Sequence, residues 1–290
     1  MSCGLIYRNM LSIIIPSRNE RFLQETIRDV LEKATGEIEI IVVLDGYDTE
    51  RINDSRVRYI CLPKISGTQK RQGINKAVAE SKGEYIMALD AHCMMAKGFD
   101  EQLIKDHQPD WVQIPRRHRL DPENWCIQKQ SDNRPPIDYE YIMFDRLIKY
   151  KHIHGYKWDS KTLERWDMPI DDIFCMQASM WFMTKEWYLK RGFMKVDGYT
   201  GWGAESEEIC FETIKAGGRV KKNSNTWYAH LHKGNKYGRM YWMSKEENRK
   251  SANYSYNYWV HENKSFFIKL IESFWPLPGW PDDWQKQIYG

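Results

Sequence analysis

The chain of 290 residues carries 43 Lys and Arg against 40 Asp and Glu, and its formal net charge is +3. Hydrophobic residues make up 42%, which excludes a globally disordered chain and allows a sizeable core. The near balance of charge neither requires nor excludes a polyanionic partner. No apolar run approaches the roughly 20 residues of a membrane-spanning helix. The six cysteines include no C-x-x-C pair, which excludes a zinc ribbon and predicts a cytoplasmic protein with reduced thiols.

Strand and helix patterns alternate through the first third of the chain. Residues 37–44 (EIEIIVVL) are almost continuously apolar at their end, which is typical of a strand buried on both faces. In chain order we predict strand 12–16, helix 22–34, strands 37–44 and 57–62, helix 68–81, strand 84–89, helix 97–107 and strand 111–115. This order indicates an α/β fold with a mostly parallel, Rossmann-like sheet and helices on both faces.

The alternation breaks between residues 116 and 172, which are rich in Arg, Asp, Pro and Tyr and predict long loops. Further elements are predicted at 176–184, 185–190, 205–216, 220, 227–232 and 266–274. The helix 205–216 should end at the glycine pair that follows it. We expect one main domain at 1–243 and a helical, aromatic extension at 244–290 that packs on it.

Polar residues follow three predicted strands: 17–20 (SRNE), Asp45, and the pair Asp90 and His92. The carboxyl ends of parallel strands meet at one edge of a sheet, where ligands of such folds bind. Asp90 and His92 are one residue apart on an extended segment, so their side chains point the same way and suit Mn²⁺. Alternatively, Asp90 caps the next helix and His92 is a loop residue.

Two residues near this edge each allow two interpretations. Asp45 can accept a hydrogen bond from a nucleobase or a ribose, or it can be a turn residue before Gly46. Arg71, on the helix after the third strand, can reach a diphosphate or form a surface salt bridge.

Four stretches occur in the order found in glycosyltransferase family 2. They are SIIIPSRNE at 12–20, EIEIIVVLDG at 37–46, GTQKRQGINKAVAESKGEYIMALDAHC at 67–93 and GWGAESEEICFETIKAGG at 201–218. With D-x-H in place of D-x-D and a W-G-x-E-x-x-E-I block, the chain resembles the polypeptide N-acetylgalactosaminyltransferase type. It is also similar to phage-encoded glycosyltransferases, notably in WYAHLHKG. This resemblance covers residues 10–240 and implies a GT-A catalytic domain, a UDP-sugar or related donor, a hydroxyl acceptor, and Mn²⁺ or Mg²⁺ as cofactor.

The resemblance also implies roles for residues at matching positions. The nucleotide would be bound by Pro16, Arg18, Glu20, Asp45, Arg71 and Asp90, and the metal by Asp90, His92 and His230. Ala178, Ser179, Trp202 and Glu205 would contact the donor sugar and the acceptor. The catalytic candidates are Trp202, Glu205, Glu208 and Arg239. A mobile lid over the diphosphate would carry Lys233, Lys236, Tyr237 and Arg239.

Three positions leave alternatives open. Ser206 stands where inverting members of the family place an Asp as general base, which favours retention of configuration, with Glu207 as an alternative base. Leu44 stands where many relatives carry a second acid beside Asp45. His232 is the alternative to His230 as third metal ligand, because alternation along a strand puts both side chains on one face.

Other functions explain parts of the sequence. A catalytically inactive nucleotide-sugar-binding protein would have degraded metal ligands, and a nucleotidyltransferase would carry a glycine-rich loop in place of 17–20.

The acceptor is open among a glycan, a protein and a hydroxymethylated base of phage-type DNA, which would have to be flipped out of the duplex. A phage-encoded enzyme would work in the host cytoplasm. A basic, aromatic groove for DNA would use Arg116, Arg117, His118, Arg119, Trp125, Lys149, Lys151, Lys221 and Lys222.

Overall fold

A computed structural model describes residues 7–129 and 134–290 of the chain. Its strands are β1 Tyr7–Ser17, β2 Ile38–Asp45, β3 Val57–Leu62, β4 Gly83–Leu89, β5 Cys93–Met95, β6 Trp111–Asp121, β7 Cys126–Ile127, β8 Glu140–Ile142, β9 Gly155–Lys157, β10 Ile170–Asp172, β11 Met180–Thr184 and β12 Arg219–His230. Its helices are α1 Leu23–Lys33, α2 Lys70–Glu80, α3 Phe99–Lys105, α4 Phe144–Tyr150, α5 Asp159–Glu164, α6 Lys185–Arg191, α7 Glu205–Lys215, α8 Gly234–Tyr237, α9 Lys245–Tyr256, α10 Lys264–Ser273 and α11 Trp284–Tyr289, with a π-helical turn at Asn257–Glu262. The expected α/β fold is confirmed.

The main sheet has the strand order β10-β12-β6-β11-β4-β1-β2-β3, with β5 paired to β12 and β7 paired to β6. The neighbours β4, β1, β2 and β3 are parallel, and so are β12 and β6. β11 runs antiparallel between β4 and β6 and joins the two parallel groups. Because parallel strands end at a common edge, β1, β2 and β4 deliver their carboxyl ends to one side of the molecule.

Burial explains the elements of the amino-terminal half. Every residue of β2 is buried, as a central parallel strand covered on both faces requires. Helix α2 approaches this strand closely at Gly73, where an added Cβ would lie 2.6 Å from Val43 Cγ1. A larger residue there would push α2 away from the sheet, together with the polar residues at its first turn.

The described residues between 116 and 172 contain more regular structure than the sequence predicts. β6 continues through Pro115 to Asp121, and β8 and β9 form a two-stranded antiparallel ribbon. Proline cannot donate to a ladder, and the register between β6 and β12 shifts just after Pro115, between Asn223 and Trp227. The two predicted returning strands are therefore one irregular strand, β12.

The C-terminal extension is also more helical than predicted. The expected helix 266–274 corresponds to α10, but α9, the π-helical turn and α11 have no counterpart among the predicted elements. Helix α9 (KEENRKSANYSY) is polar around most of its circumference, so apolar periodicity could not reveal it. Its first turn is fixed by Ser244, whose hydroxyl accepts the N–H of Glu247.

This extension shares one hydrophobic core with the rest of the described chain. Trp259 packs against Phe211 of α7 with ring centroids 5.2 Å apart. Trp280 Nε1 donates to the carbonyl of Ile142 in β8 at 2.7 Å. The division into 1–243 and 244–290 stays a prediction, because the core is continuous across it. No helix of the described residues is both long and apolar enough to cross a membrane.

Candidate active site

Strand ends place the predicted polar residues along one edge of the sheet. Near the end of β1, Pro16 lies opposite Val43 of β2, and β4 ends directly before Asp90. The N–H of Asp90 donates to the carbonyl of Ser179 at 2.8 Å. This bond places the loop that carries Ala178 and Ser179, before β11, beside the same edge.

A third chain segment completes a cluster of potential metal ligands. β12 pairs antiparallel with β5, so His230 lies opposite Cys93 and next to His92. One ligand atom from each of Asp90, His92 and His230 lies within 4.8 Å of the others. His230 Nε2 is 3.1 Å from His92 Nε2 and 3.5 Å from Asp90 Oδ2. Among the described residues this cluster contains His230 and not the alternative, His232.

The geometry of the two imidazoles fits a divalent cation. Neighbouring ligands of an octahedral ion, each about 2.1 Å from it, lie about 3 Å apart, which matches the separation of the two Nε2 atoms. Burial lowers the pKa of His230 to about 3, so the ring is neutral at pH 7 and can offer a lone pair. One carboxylate with two imidazoles is a donor set that suits Mn²⁺.

Lys70, the first residue of α2, is a site residue that the sequence analysis missed. Its Nζ donates to Asp90 Oδ1 at 3.2 Å. Burial lowers the pKa of Lys70, but Asp90 and Glu205 outweigh burial and raise it. Burial raises the pKa of Asp90, but Lys70 and His230 outweigh burial and hold it below its usual value. The Lys70–Asp90 pair is therefore ionised. In the sequence, Lys70 could have been noticed as a second basic residue directly before Arg71.

Residues predicted to bind the nucleotide form a second group at this edge. Arg18 Nη1 lies 3.0 Å from Asp45 Oδ1, and Asp45 Oδ2 accepts the backbone N–H of Gln69 at 2.9 Å. The Arg18 guanidinium also lies over the rings of Tyr47 and Tyr241, 5.5 and 5.6 Å from their centroids. Asp45 thus ends a strand, anchors the start of α2 and holds Arg18 in place.

Arg71 and Glu208 form a buried ion pair between α2 and α7, with side chains that are 4% and 1% exposed. Arg71 also donates to the carbonyls of Lys195 and Gly203, at 3.0 and 3.3 Å. Its guanidinium lies 3.9 Å from the ring centroid of Tyr199. Arg71 thus fastens the loop before α7 to α2, and the surface salt bridge suggested by the sequence is wrong. The nucleotide contact of Arg71 and the catalytic role of Glu208 stay predictions.

The start of α7 follows a turn with positive φ at Gly203 (102°) and Ala204 (63°). Glu205 comes next and is buried. The Ser206 hydroxyl donates to Glu207 Oε2 at 2.6 Å, and burial raises the pKa of Glu207 to about 7. Glu207, the alternative base, lines a small cavity together with Ile153, Gly155, Phe174, Cys175, Met176, Ser206 and Phe211.

Segment 231–243, which contains the predicted lid, lies against the strand ends. Lys233 Nζ is 2.8 Å from Glu20 Oε1. Further along, the carbonyl of Met240 accepts a hydrogen bond from Asn19 Nδ2 at 2.8 Å. Both contacts involve the residues that follow β1, so the segment touches the edge near its two ends.

Residues in the middle of segment 231–243 make further contacts. Lys236 Nζ and the Tyr237 hydroxyl donate to Glu123 Oε1 at 2.5 and 3.1 Å. The Arg239 guanidinium lies 4.9 Å from the ring centroid of Trp202, whose side chain is 44% exposed. The structure thus brings the predicted lid and the Trp-Gly-x-Glu block together and leaves the indole of Trp202 partly accessible.

Several of the residues considered for a DNA groove have carboxylate partners. Four of its residues pair with carboxylates at 2.6 to 3.7 Å: Arg116 with Asp138, Arg117 with Glu140, Lys221 with Asp172 and Lys222 with Asp138. Its indole, Trp125, donates to Asp29 Oδ1 at 3.1 Å. Neutralised side chains replace few counterions on a nucleic acid, so these pairs do not support a DNA acceptor.

The fold is that of the GT-A glycosyltransferases. The crystal structure of GalNAc-T7 with UDP, GalNAc and Mn²⁺ is similar with a TM-score of 0.68, over 96% of this chain and 54% of that chain. The sequence identity of the two is 17%, so the likeness concerns the fold alone, and it confirms the GT-A prediction.

The chain belongs to glycosyl transferase family 2, whose family model matches residues 12–190. It is 24% identical over 238 residues to putative polypeptide N-acetylgalactosaminyltransferase 13 of Drosophila melanogaster, over 73% of this chain and 39% of that protein. It is also 24% identical to polypeptide N-acetylgalactosaminyltransferase 5 of Caenorhabditis elegans in an alignment of 311 positions, which covers 96% of this chain and 42% of that protein. The predicted family is confirmed, and the chain spans about two fifths of the length of these relatives.

Proposed function

We propose that the protein transfers a sugar from a nucleotide-diphosphate sugar to a hydroxyl acceptor and requires a divalent cation. The observation that carries this proposal is the cluster of Asp90, His92 and His230 at the carboxyl edge of a family 2 sheet. A UDP-sugar as donor and Mn²⁺ as cofactor are supported by the similar fold of GalNAc-T7, which was crystallised with UDP and Mn²⁺.

Asp90, His92 and His230 would hold the cation, which when bound offsets negative charge on a departing diphosphate. Lys70 adds a fixed positive charge on the other side of Asp90. Lys233 can bring a further positive charge when segment 231–243 closes, and closure excludes water that would hydrolyse the donor.

Binding and orientation fall to other residues of the same edge. Arg18 and Asp45 would hold the nucleotide base end, together with Tyr47 and Tyr241. The half-exposed indole of Trp202 offers a flat apolar face to a pyranose ring. Its neighbour Glu205 would contact sugar or acceptor hydroxyls.

We further propose that transfer retains the anomeric configuration. The position of the general base of inverting relatives is Ser206, whose hydroxyl is engaged with Glu207. Glu207 itself lines a mostly apolar cavity, which is a poor place to meet an acceptor hydroxyl. Proton NMR of the first-formed product would settle the outcome, and an inverted anomer would refute retention.

The proposed function can be tested by a donor screen. UDP-sugars, including UDP-GalNAc, and GDP-sugars are incubated with the protein with and without Mn²⁺, and free nucleotide is measured beside calorimetric binding. We expect Mn²⁺-dependent release of UDP. Tight Mn²⁺-dependent binding without release, with a panel of glycan and peptide acceptors, would favour the inactive nucleotide-sugar-binding protein. Failure to bind any nucleotide with Mn²⁺ would reject the proposal.

The proposals for the acceptor and for the cellular compartment rest on other observations. We propose a glycan or protein acceptor, because four of the basic side chains considered for DNA are paired with carboxylates. We also propose a cytoplasmic location, because the five cysteines among the described residues are free. The sixth, Cys3, lies outside the described residues.

A further inference from the structure

The imidazole of His92 has a different neighbour on each side of its ring. Its Nε2 faces His230 Nε2 and Asp90, which are the other members of the cluster. Its Nδ1 is buried and has no hydrogen-bond partner among the described residues. The nearest carboxylate on that side is Glu20, whose Oε2 lies 3.4 Å away and whose side chain is 9% exposed.

This arrangement matters for the tautomer of His92. An imidazole that binds a cation through Nε2 must carry its proton on Nδ1. A carboxylate beside Nδ1 holds that proton, fixes the ring orientation and makes Nε2 a better ligand. Polar contacts of this kind are often long before the ligand arrives and shorten when it binds.

We propose that Glu20 is a positioning residue for the metal site and also ties that site to segment 231–243. This inference rests on the proposed metal-dependent function. Glu20 sets the orientation and tautomer of His92, and the same carboxylate binds Lys233, with Nζ 2.8 Å from Oε1 and 2.5 Å from Oε2.

Because Glu20 contacts both His92 and Lys233, its carboxylate would couple the metal site to segment 231–243. Lys233 is three residues after His230, so one short stretch of chain carries a metal ligand and a cation that binds Glu20. A change in the position of segment 231–243 alters the charge next to His92, and a loss of Glu20 affects both. Glu123 offers a comparison, because it binds the same segment through Lys236 and Tyr237 but has no contact with a cluster residue among the described contacts.

The test uses Glu20→Gln, which keeps the size of the side chain and removes its charge. Calorimetric titration with Mn²⁺ alone should show affinity about 10–100-fold weaker than wild type, the usual cost of losing such a partner. Trypsin should also cleave after Lys236 and Arg239 faster in this variant. The matched control, Glu123→Gln, should speed the same cleavage and leave Mn²⁺ affinity unchanged.

The possible outcomes distinguish a failure of this inference from a failure of the proposed metal-dependent function. Weaker Mn²⁺ binding together with faster cleavage in Glu20→Gln supports it. The inference is overturned if Glu20→Gln leaves either the Mn²⁺ affinity or the rate of cleavage unchanged. This conclusion requires that wild type binds Mn²⁺ and that Asp90→Asn does not. If wild type binds no Mn²⁺, the proposed metal-dependent function fails first.

Discussion

The sheet edge and segment 231–243 both contribute to the candidate site, but they are held in place differently. At the edge, Asp45 is buried at the end of a completely buried strand, and His230 is fixed by pairing with β5. In segment 231–243, helix α8 has no buried residue. Trp242 in the same segment is 70% exposed. The edge is fixed by the core, whereas the segment beyond the buried Leu231 is held by polar and aromatic contacts at the surface.

This difference matches the tasks proposed for the two regions. Ligands of a cation must be held to within fractions of an ångström, and paired strands supply that rigidity. Segments that open for substrate are drawn from the least stable parts of a fold, with few buried contacts. Substitutions at the edge should therefore have large effects on binding or stability, whereas substitutions at exposed positions near the segment should mainly change turnover.

The largest effect is expected from Asp90→Asn. This change removes the carboxylate of the metal cluster, so Mn²⁺ affinity should fall more than about 100-fold and metal-dependent UDP release should be lost. Calorimetry and nucleotide release measure the two effects, and circular dichroism checks the fold. His232→Ala is the matched control, with Mn²⁺ affinity near that of wild type. Equal losses in both variants would contradict the assignment of His230.

A large effect on stability is expected from Arg71→Met. The Glu208 carboxylate would stay buried without its partner, which costs about 3–5 kcal/mol of unfolding free energy. Urea denaturation measures this loss, and the double variant with Glu208→Gln should recover part of it. A loss below about 1 kcal/mol would show that the pair behaves like an exposed one.

Glu207 predicts a pH effect on stability. Its pKa is raised by burial from 4.5 to about 7, so between these pH values the folded protein binds more protons than the unfolded chain. Stability from this group is present at low pH and is lost as pH rises through about 7. Glu207→Gln should remove up to about 3 kcal/mol of that decline, measured by urea denaturation at pH 4.5 and 7.5. A difference between variant and wild type that does not change with pH would contradict the raised pKa.

The smallest effect on the structure is expected from Trp202→Ala. The indole is half-exposed, so unfolding free energy should change by no more than about 0.5 kcal/mol. Loss of a stacking face should lower sugar transfer about tenfold and leave nucleotide affinity unchanged. Equal losses of transfer and nucleotide binding would point to a structural role through Arg239 and segment 231–243.

Sequence patterns were most informative where local periodicity reflects burial. Strands β2 and β4 and helices α1 and α2 lie close to their predicted positions, because parallel strands and the helices that cover them carry strong apolar signals. The predicted strand ends also led to Asp45, Asp90 and His92. The signal failed for α9, whose surface is polar, and for β6 beyond Pro115, where a proline suggested an end.

Partnerships between distant residues were beyond the reach of local patterns. Lys70 and Asp90 are 20 residues apart, and Arg71 and Glu208 are 137 apart. Nothing in the local sequence distinguishes a lysine that binds a buried carboxylate from one on a solvated helix face. The basic residues around 116 likewise suggested a nucleic-acid surface until their carboxylate partners, Asp138 and Glu140, were known.

The sequence alone determined the α/β order, the family and the residues at the strand ends, because these depend on neighbours along the chain. Only the tertiary structure decided that His230, rather than His232, joins Asp90 and His92, because that choice depends on the register of β12 against β5. It also decided which charges are neutralised and which face the site, since an ion pair depends on distance in space and not on separation in sequence.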